Sequence, residues 1–185
     1  MSTFTKGEIA CMSYYFSICA SEKYQEKYIE FMLMNYQQLN LPYSFPLTLS
    51  FLASPILMKE EAILCFNDED ELVGALGYIY GTGENDYQDT HIVQIQAVFL
   101  LDEYRRTRLF LRGLQYLTQF IAQLNRPVTE LRFWTPVQDD LRKLCGKLAV
   151  RADVRDTAFG TMEEYRAPFS DWHAYAMQFR HESYF

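Results

Sequence analysis

The stretch from Val98 to Leu124 constrains the fold of this chain more than any other. It reads VFLLDEYRRTRLFLRGLQYLTQFIAQL, a strand running into an arginine-rich turn and then into a long helix. Phe110, Leu114, Leu117, Ile121 and Leu124 recur at steps of four and three, which makes one apolar stripe along the helix. Such a stripe has to be buried against another layer, and the strand before it provides a sheet. The helix N-terminus, with its free amides and its dipole, is a ready anion site. The turn that leads into it contains no glycine. Arg105, Arg106 and Arg108 sit where the dipole disfavours cations, and a bound anion would account for them. The alternative is a solvated helix start with no ligand.

The rest of the chain alternates between the two periods. Gly7 to Asn40 reads as helical with a break near Ser21, a suitable N-cap followed by Glu22. Leu41-Pro42 ends that stretch. Pro46 to Met58 reads as a short helix interrupted by Pro55. Ala62–Phe66 and Leu72–Tyr80 flank Asn67-Asp68-Glu69-Asp70 and read as a β-hairpin. Gly81 to Asp86 is a loop, and His91 to Leu100 a further strand with Gln94 and Gln96 on one face. After Asn125-Arg126-Pro127 comes a strand, Val128–Trp134. Pro136 then opens a helix with the stripe Val137, Leu141, Leu144 and Leu148. Strands follow around 152–158 and 162–167, and Asp171 caps a last helix ending in the aromatic tail Ser183-Tyr184-Phe185. The order α-α-β-β-β-α-β-α-β-β predicts a single mixed α/β domain over residues 1–185, with 170–185 as a C-terminal extension.

Composition narrows the function classes. At 185 residues, 49% hydrophobic, with 14 Tyr and 14 Phe, the chain can bury a real core. A formal charge of −7 argues against general nucleic-acid binding. The four cysteines, Cys11, Cys19, Cys65 and Cys145, show no paired spacing, and His91, His173 and His181 do not complete a metal site. Reduced, buried thiols in a cytoplasmic protein are expected. No secretory signal is evident, and no apolar run is long enough to cross a bilayer, so no membrane role is expected.

The hairpin AILCFNDEDELVGALGYIYG, the segment Leu100–Leu114 and the segment Val128–Val150 together resemble the GCN5-related N-acetyltransferase family, over roughly residues 24–169. Tyr104-Arg105 fall on the start of that family's phosphate motif. Arg106, Arg108 and Phe110 take the places where glycine or a small residue is usual. The resemblance implies a GNAT-like fold with a mixed, mostly antiparallel sheet flanked by helices. It implies acetyl-CoA or another acyl-CoA as cosubstrate, no metal, and a primary amine of a small molecule or protein as acceptor.

It also implies roles for individual residues. Val98 and Leu100 would present strand backbone to the pantetheine arm. Arg105, Arg106, Thr107, Arg108, Leu109 and Phe110 would surround the pyrophosphate, and Gln138 falls where an Asn is frequent. Cys145 takes the place of the Tyr that protonates the leaving thiolate. A small buried packing residue is the other reading of that thiol. Gln94 matches the position of a carboxylate that activates the amine, and an amide is not a base. His91 lies close in sequence with a suitable intrinsic pKa, and a structural role is its alternative. Tyr36 and Tyr43 fall where the acceptor pocket is bordered. A second function class stays open, a member of the same fold that no longer catalyses and acts as a binding or regulatory module. Its aromatic tail would then cover its own core or dock on a partner, a second copy included.

Overall fold

The β-hairpin read from the sequence forms two neighbouring strands of a sheet that the rest of the chain extends on both sides. The computed structural model describes residues 13–59 and 61–185. In chain order the elements are β1 (Tyr15–Ile18), α1 (Glu22–Asn35), α2 (Phe45–Leu57), β2 (Glu61–Phe66), β3 (Leu72–Tyr80), β4 (Ile92–Leu100), α3 (Leu109–Gln123), β5 (Glu130–Pro136), α4 (Asp139–Leu148), β6 (Val150–Thr157), β7 (Gly160–Pro168) and α5 (Phe169–Met177). The sheet order is β1-β2-β3-β4-β5-β7-β6. All neighbours are antiparallel except β4 and β5.

Two cores lie on opposite faces of this sheet. On one face α3, α4 and α5 bury Leu114, Leu117, Ile121, Cys145, Leu148 and Trp172 against Ile63, Tyr78, Val93, Ile95, Leu131, Phe133 and Tyr165. The predicted stripe of α3 is the centre of this layer. On the other face α1 and α2 bury Tyr28, Phe31, Met32 and Leu52 against Leu64, Phe66, Ala75, Ala97 and Phe99. Gly77 lets them approach closely, since a Cβ there would lie 2.2 Å from the Tyr28 hydroxyl and 2.7 Å from Pro55.

Several sequence expectations change. Residues 15–18 form a strand rather than helix, because the run Tyr-Phe-Ser-Ile favours extended backbone and pairs with the exposed edge of β2. The helix begins after Ser21 as expected, and it gives way at Tyr36–Leu39 to a 3₁₀ turn. The part of the expected helix before residue 13, like Cys11, lies outside the described residues. Pro55 does not interrupt α2. It leaves the Phe51 carbonyl without its amide, and the Ser54 hydroxyl donates to that carbonyl instead at 2.9 Å. Pro136 ends β5 rather than opening α4, whose N-cap is Gln138.

The aromatic tail covers the chain's own core. α5 starts at Phe169, directly after Pro168, so Asp171 lies in its first turn and is not its cap. Beyond α5 the chain returns along α3. The buried Gln115 amide donates to the Ala176 carbonyl at 3.1 Å, and the Gln119 side chain accepts from the Tyr184 amide at 2.9 Å and donates to the Glu182 carbonyl at 2.8 Å. Tyr184 packs edge-on against Phe16 and Tyr116, and Phe185 against Tyr116 and Phe120. Replacing Tyr184 with Ala is expected to cost on the order of 2 kcal/mol in chemical denaturation. Light scattering should give the same mass for the variant and the unaltered chain.

Candidate functional site

β4 and β5 begin as a regular parallel pair and then part. Their register runs from Ile92↔Glu130 to Ile95↔Phe133 and stops there. On the other side of β4 the pairing with β3 skips a residue, from Gly77↔Ala97 to Tyr78↔Ile95, so Gln96 is bulged. A bulge bends its strand and adds twist. Ala97 to Leu100 therefore stay with β3 and leave β5, and their edge towards β5 has no strand partner.

The turn after β4 makes a compact knot at the mouth of this split. The amides of Tyr104, Arg105 and Thr107 bond to the Leu101, Asp102 and Tyr104 carbonyls. Thr107 fastens the helix start, donating to the Tyr104 carbonyl at 2.7 Å and accepting from the Leu109 amide at 3.1 Å. No residue between Leu101 and Leu111 has a positive φ, so this backbone does not require glycine. The first-turn amides of Arg108, Phe110 and Leu111 have no partner within the helix, as at any helix start.

The three arginines of the turn divide into two groups. Arg105 is committed: its Nε donates to the Leu100 carbonyl at 2.9 Å, its other nitrogens meet Gln38 at 3.2 Å and Asp102 at 2.6 Å, and it stacks on Phe99. Arg106 and Arg108 are exposed, and no ion pair holds either among the described residues. Leu109 is a buried anchor against Val73, Cys65 and Tyr104. Phe110 packs on the larger core and borders a small cavity of about 40 Å³ beneath α3, together with Val98 and Leu100.

A larger cavity, about 330 Å³, lies on the opposite face where β4 and β5 part. Its floor is Gln94, Gln96, Arg132, Trp134 and Glu164, and its roof two loops that carry Leu41, Tyr43, Thr82, Glu84 and Tyr87. Arg132 is paired across to Gln94 on one side and to Arg166 on the other, and Trp134 to Glu164, so these residues share a face of the sheet. Each roof loop is pinned. Thr157 donates to the Pro42 carbonyl at 2.6 Å. Asp89 accepts from the Thr82 amide and hydroxyl, each at 2.7 Å, and from the Asn85 amide at 2.9 Å. Burial acts to raise the Asp89 carboxyl, and these hydrogen bonds outweigh it and hold it down to about 2.

The sequence-predicted residues scatter over this geometry. Gln94 and Tyr43 line the larger cavity, and Tyr43 stacks on Phe51. Tyr36 does not reach it, since its ring packs on Phe45 in the smaller core. His91 is exposed at the far end of β4, roughly 16 Å along the strand from Gln96 at 3.3 Å per residue. Its carbonyl accepts from the Thr129 amide, and its ring borders none of the cavities described. Gln138 is exposed at the start of α4, beside an open depression of about 430 Å³ that Arg142 and Thr161 also line.

Cys145 is buried in the larger core, and burial pushes its thiol up to about 11. It borders neither cavity, so its placement is that of a packing residue. Cys19 and Cys65 are likewise buried and pushed up to about 12. At such values under ~1% of each thiol ionises at pH 8. Brief iodoacetamide treatment of the native protein should therefore leave these three cysteines unlabelled by peptide mass, and urea should expose all of them.

One charged cluster escaped the sequence reading. Glu163 on β7 is fully buried and takes the Arg142 fork at 2.8 to 3.2 Å, Arg151 at 2.9 Å and the Tyr165 hydroxyl at 3.1 Å. The Arg142 hydrogen bonds do most, against the opposing effect of burial, to hold its carboxyl down to about 2. Only the alternation of β7 could have signalled it, because it occupies an apolar phase of that strand. Its ionised form stabilises the fold fully above the ordinary carboxylate range, and that gain is lost as pH falls from about 4.5 to about 2. Replacing Glu163 with Gln is expected to cost about 2 kcal/mol at pH 7. The deficit relative to the unaltered chain should narrow over that acid window in thermal melts.

No family model and no curated protein matches the sequence. Solved structures do match the fold. An acetyltransferase of the GNAT family from Staphylococcus aureus superposes with a TM-score of 0.58 at 15% identity, covering 84% of this chain and 99% of that one. The ribosomal-protein-S5-alanine acetyltransferase of Vibrio fischeri gives 0.58 at 12% identity, covering 86% and 94%. The spermidine N-acetyltransferase of Vibrio cholerae, solved with CoA and spermine, gives 0.52 at 12% identity, covering 85% and 97%. The chain has the fold of the GCN5-related N-acetyltransferases, a seven-stranded mixed sheet flanked by five helices among the described residues. At identities this low the likeness is one of fold. Among the described residues no group of three His, Cys, Asp or Glu could hold a metal ion, and no helix is long and apolar enough to cross a membrane.

Proposed function

We propose that this protein transfers an acyl group, acetyl in the first instance, from acyl-CoA to a primary amine. The observation that carries the reading is the parting of β4 from β5 beside a glycine-free helix start. That split leaves an open strand edge at Ala97–Phe99, with the first-turn amides of α3 at one end and the roofed cavity at the other. Two of the neighbours named above, the ribosomal-protein-S5-alanine acetyltransferase and the spermidine N-acetyltransferase solved with CoA and spermine, support it by analogy of fold.

The residues present fit an acyl-CoA. The amides of Arg108, Phe110 and Leu111 face the position of a pyrophosphate, and the unpaired guanidiniums of Arg106 and Arg108 add charge-assisted donors that compensate for the bulk of their side chains. Arg105 positions the turn through Leu100 and does not contact the ligand. Thr107 and Leu109 likewise hold the loop. Val98 and the backbone edge before Leu100 border the pantetheine, and Gln138 stands where its far side would pass. An acyl-CoA bound there supplies a thioester as the activated acyl group.

On the acceptor side, Gln94 and Gln96 accept hydrogen bonds from the amine and orient its lone pair. Neither can take its proton, and Glu84 and Glu164 are the carboxylates that line the same cavity. Tyr43 closes the wall opposite. Cys145 and His91 take no part in this scheme, the first because it faces the core and the second because it lies at the wrong end of β4. Isothermal titration of the protein with acetyl-CoA or CoA tests the reading. Saturable heat is expected, and replacing both Arg106 and Arg108 with Ala should weaken the affinity about tenfold. No heat at high micromolar protein would overturn it and leave the binding-module alternative.

A further inference from the structure

The larger cavity holds more than a place for an amine. Arg132 is only 9% exposed, and its guanidinium is held by Glu130 on its own strand, with Glu84 no nearer than 3.8 Å. Arg155 reaches in from β6, with its Cζ 4.8 Å above the ring of Trp134. Glu84 stands 3.8 Å from it as well, too far for a hydrogen bond, and no hydrogen bond holds the Arg155 guanidinium among the described residues. Two forks with open hydrogen-bond donors therefore converge on one slot, where Glu84 is ion-paired with both at 3.8 Å and hydrogen-bonded to neither, so that a better-placed anion can displace it. The other acid of the floor is taken, since Glu164 receives Arg166 at 2.6 and 2.8 Å.

We infer that the acceptor is a compact amine carrying its own anionic group, a carboxylate or a phosphate, which docks between Arg132 and Arg155. This deepens the acyltransferase reading and rests on it for the fate of the amine. Planar guanidinium forks suit both anions through paired hydrogen bonds. The aromatic face of Trp134 holds Arg155 in place, so little side-chain freedom is lost when the anion binds. A long polycation is a poorer match, because the cavity carries both signs of charge and only Glu84 among its acids is not taken, whereas an amine with its own anion meets the carboxylate and the two forks together. The spacing sets the length of the molecule. Arg132 and Trp134 are two residues apart on β5, about 7 Å along the strand, and the amine has to reach the split beside Trp134 and Gln96. An amino acid or a short aminoalkyl phosphate spans that distance, and a cavity of about 330 Å³ holds one.

The test reads binding and cofactor affinity separately. Trp134 reports on the slot by fluorescence, with Trp172 buried in the opposite core as a constant background. The full chain is titrated with a panel of α-amino acids, with O-phosphoethanolamine and with spermidine, and in parallel with CoA by calorimetry. A saturable change with at least one anionic amine is expected, carboxylate and phosphate arms deciding which anion is preferred, and none with spermidine over the same range. Arg155→Gln should weaken that binding about tenfold while CoA affinity stays within twofold, and Arg155→Lys should restore only part of it. Spermidine binding as tightly as the anionic amines, no anionic amine binding at all, or an Arg155→Gln variant unchanged in affinity would each overturn the inference. Failure of CoA to bind while the anionic amines still do would instead remove the transferase reading and leave the slot's chemistry standing.

Discussion

The structure depends on a ladder that stops. Four residue pairs join β4 to β5, and the bulge at Gln96 then turns the remainder of β4 away. Had the pairing continued, the sheet would be closed from β1 to β6 and would offer a ligand only its two faces, both of which helices already cover in part. Because it stops, backbone groups at the middle of a buried sheet remain without strand partners. Such groups are costly unless something satisfies them, and the molecule meets part of that demand internally, through the Arg105 donation to the Leu100 carbonyl. The edge that remains is made of main chain, which explains why side-chain motifs alone describe it poorly.

Much of the fold was legible because burial imposes a period. The stripe on α3, the hairpin of β2 and β3 and the single polar face of Gln94 and Gln96 all follow from the need to put one face of an element against a core. What was not legible depended on distant partners. Tyr15 to Ile18 became a strand only because β2 offered an edge, and Pro55 stayed inside its helix only because a serine one residue earlier could reach the orphaned carbonyl. The course of the last eight residues follows from the amides of Gln115 and Gln119, one buried and one at the surface, on a helix far away in sequence.

The site divides in the same way. The turn between β4 and α3 is local in sequence, and its position was readable, although the separate fates of Arg105, Arg106 and Arg108 were not. The larger cavity is assembled from segments spread between Leu41 and Glu164, and no window of the sequence contains it. Gln94 and Tyr43 could be placed there by resemblance. Arg132, Trp134, Arg155 and Glu164 could not, because they come together through the insertion of β7 between β5 and β6. Cys145 shows the converse: its position along the chain offered two readings, and its burial in the larger core away from the cavities favours packing.

That insertion carries a consequence for how the molecule is built. β6 is made before β7 yet touches no other strand, so it joins the sheet only as the outer arm of a hairpin docking onto β5. The same docking delivers the Thr157 hydroxyl to Pro42 and Arg155 to Trp134. One hairpin thus closes the sheet and completes the cavity together, so that any loosening of its hold on β5 would withdraw Arg155, Glu164 and the Pro42 anchor in a single movement.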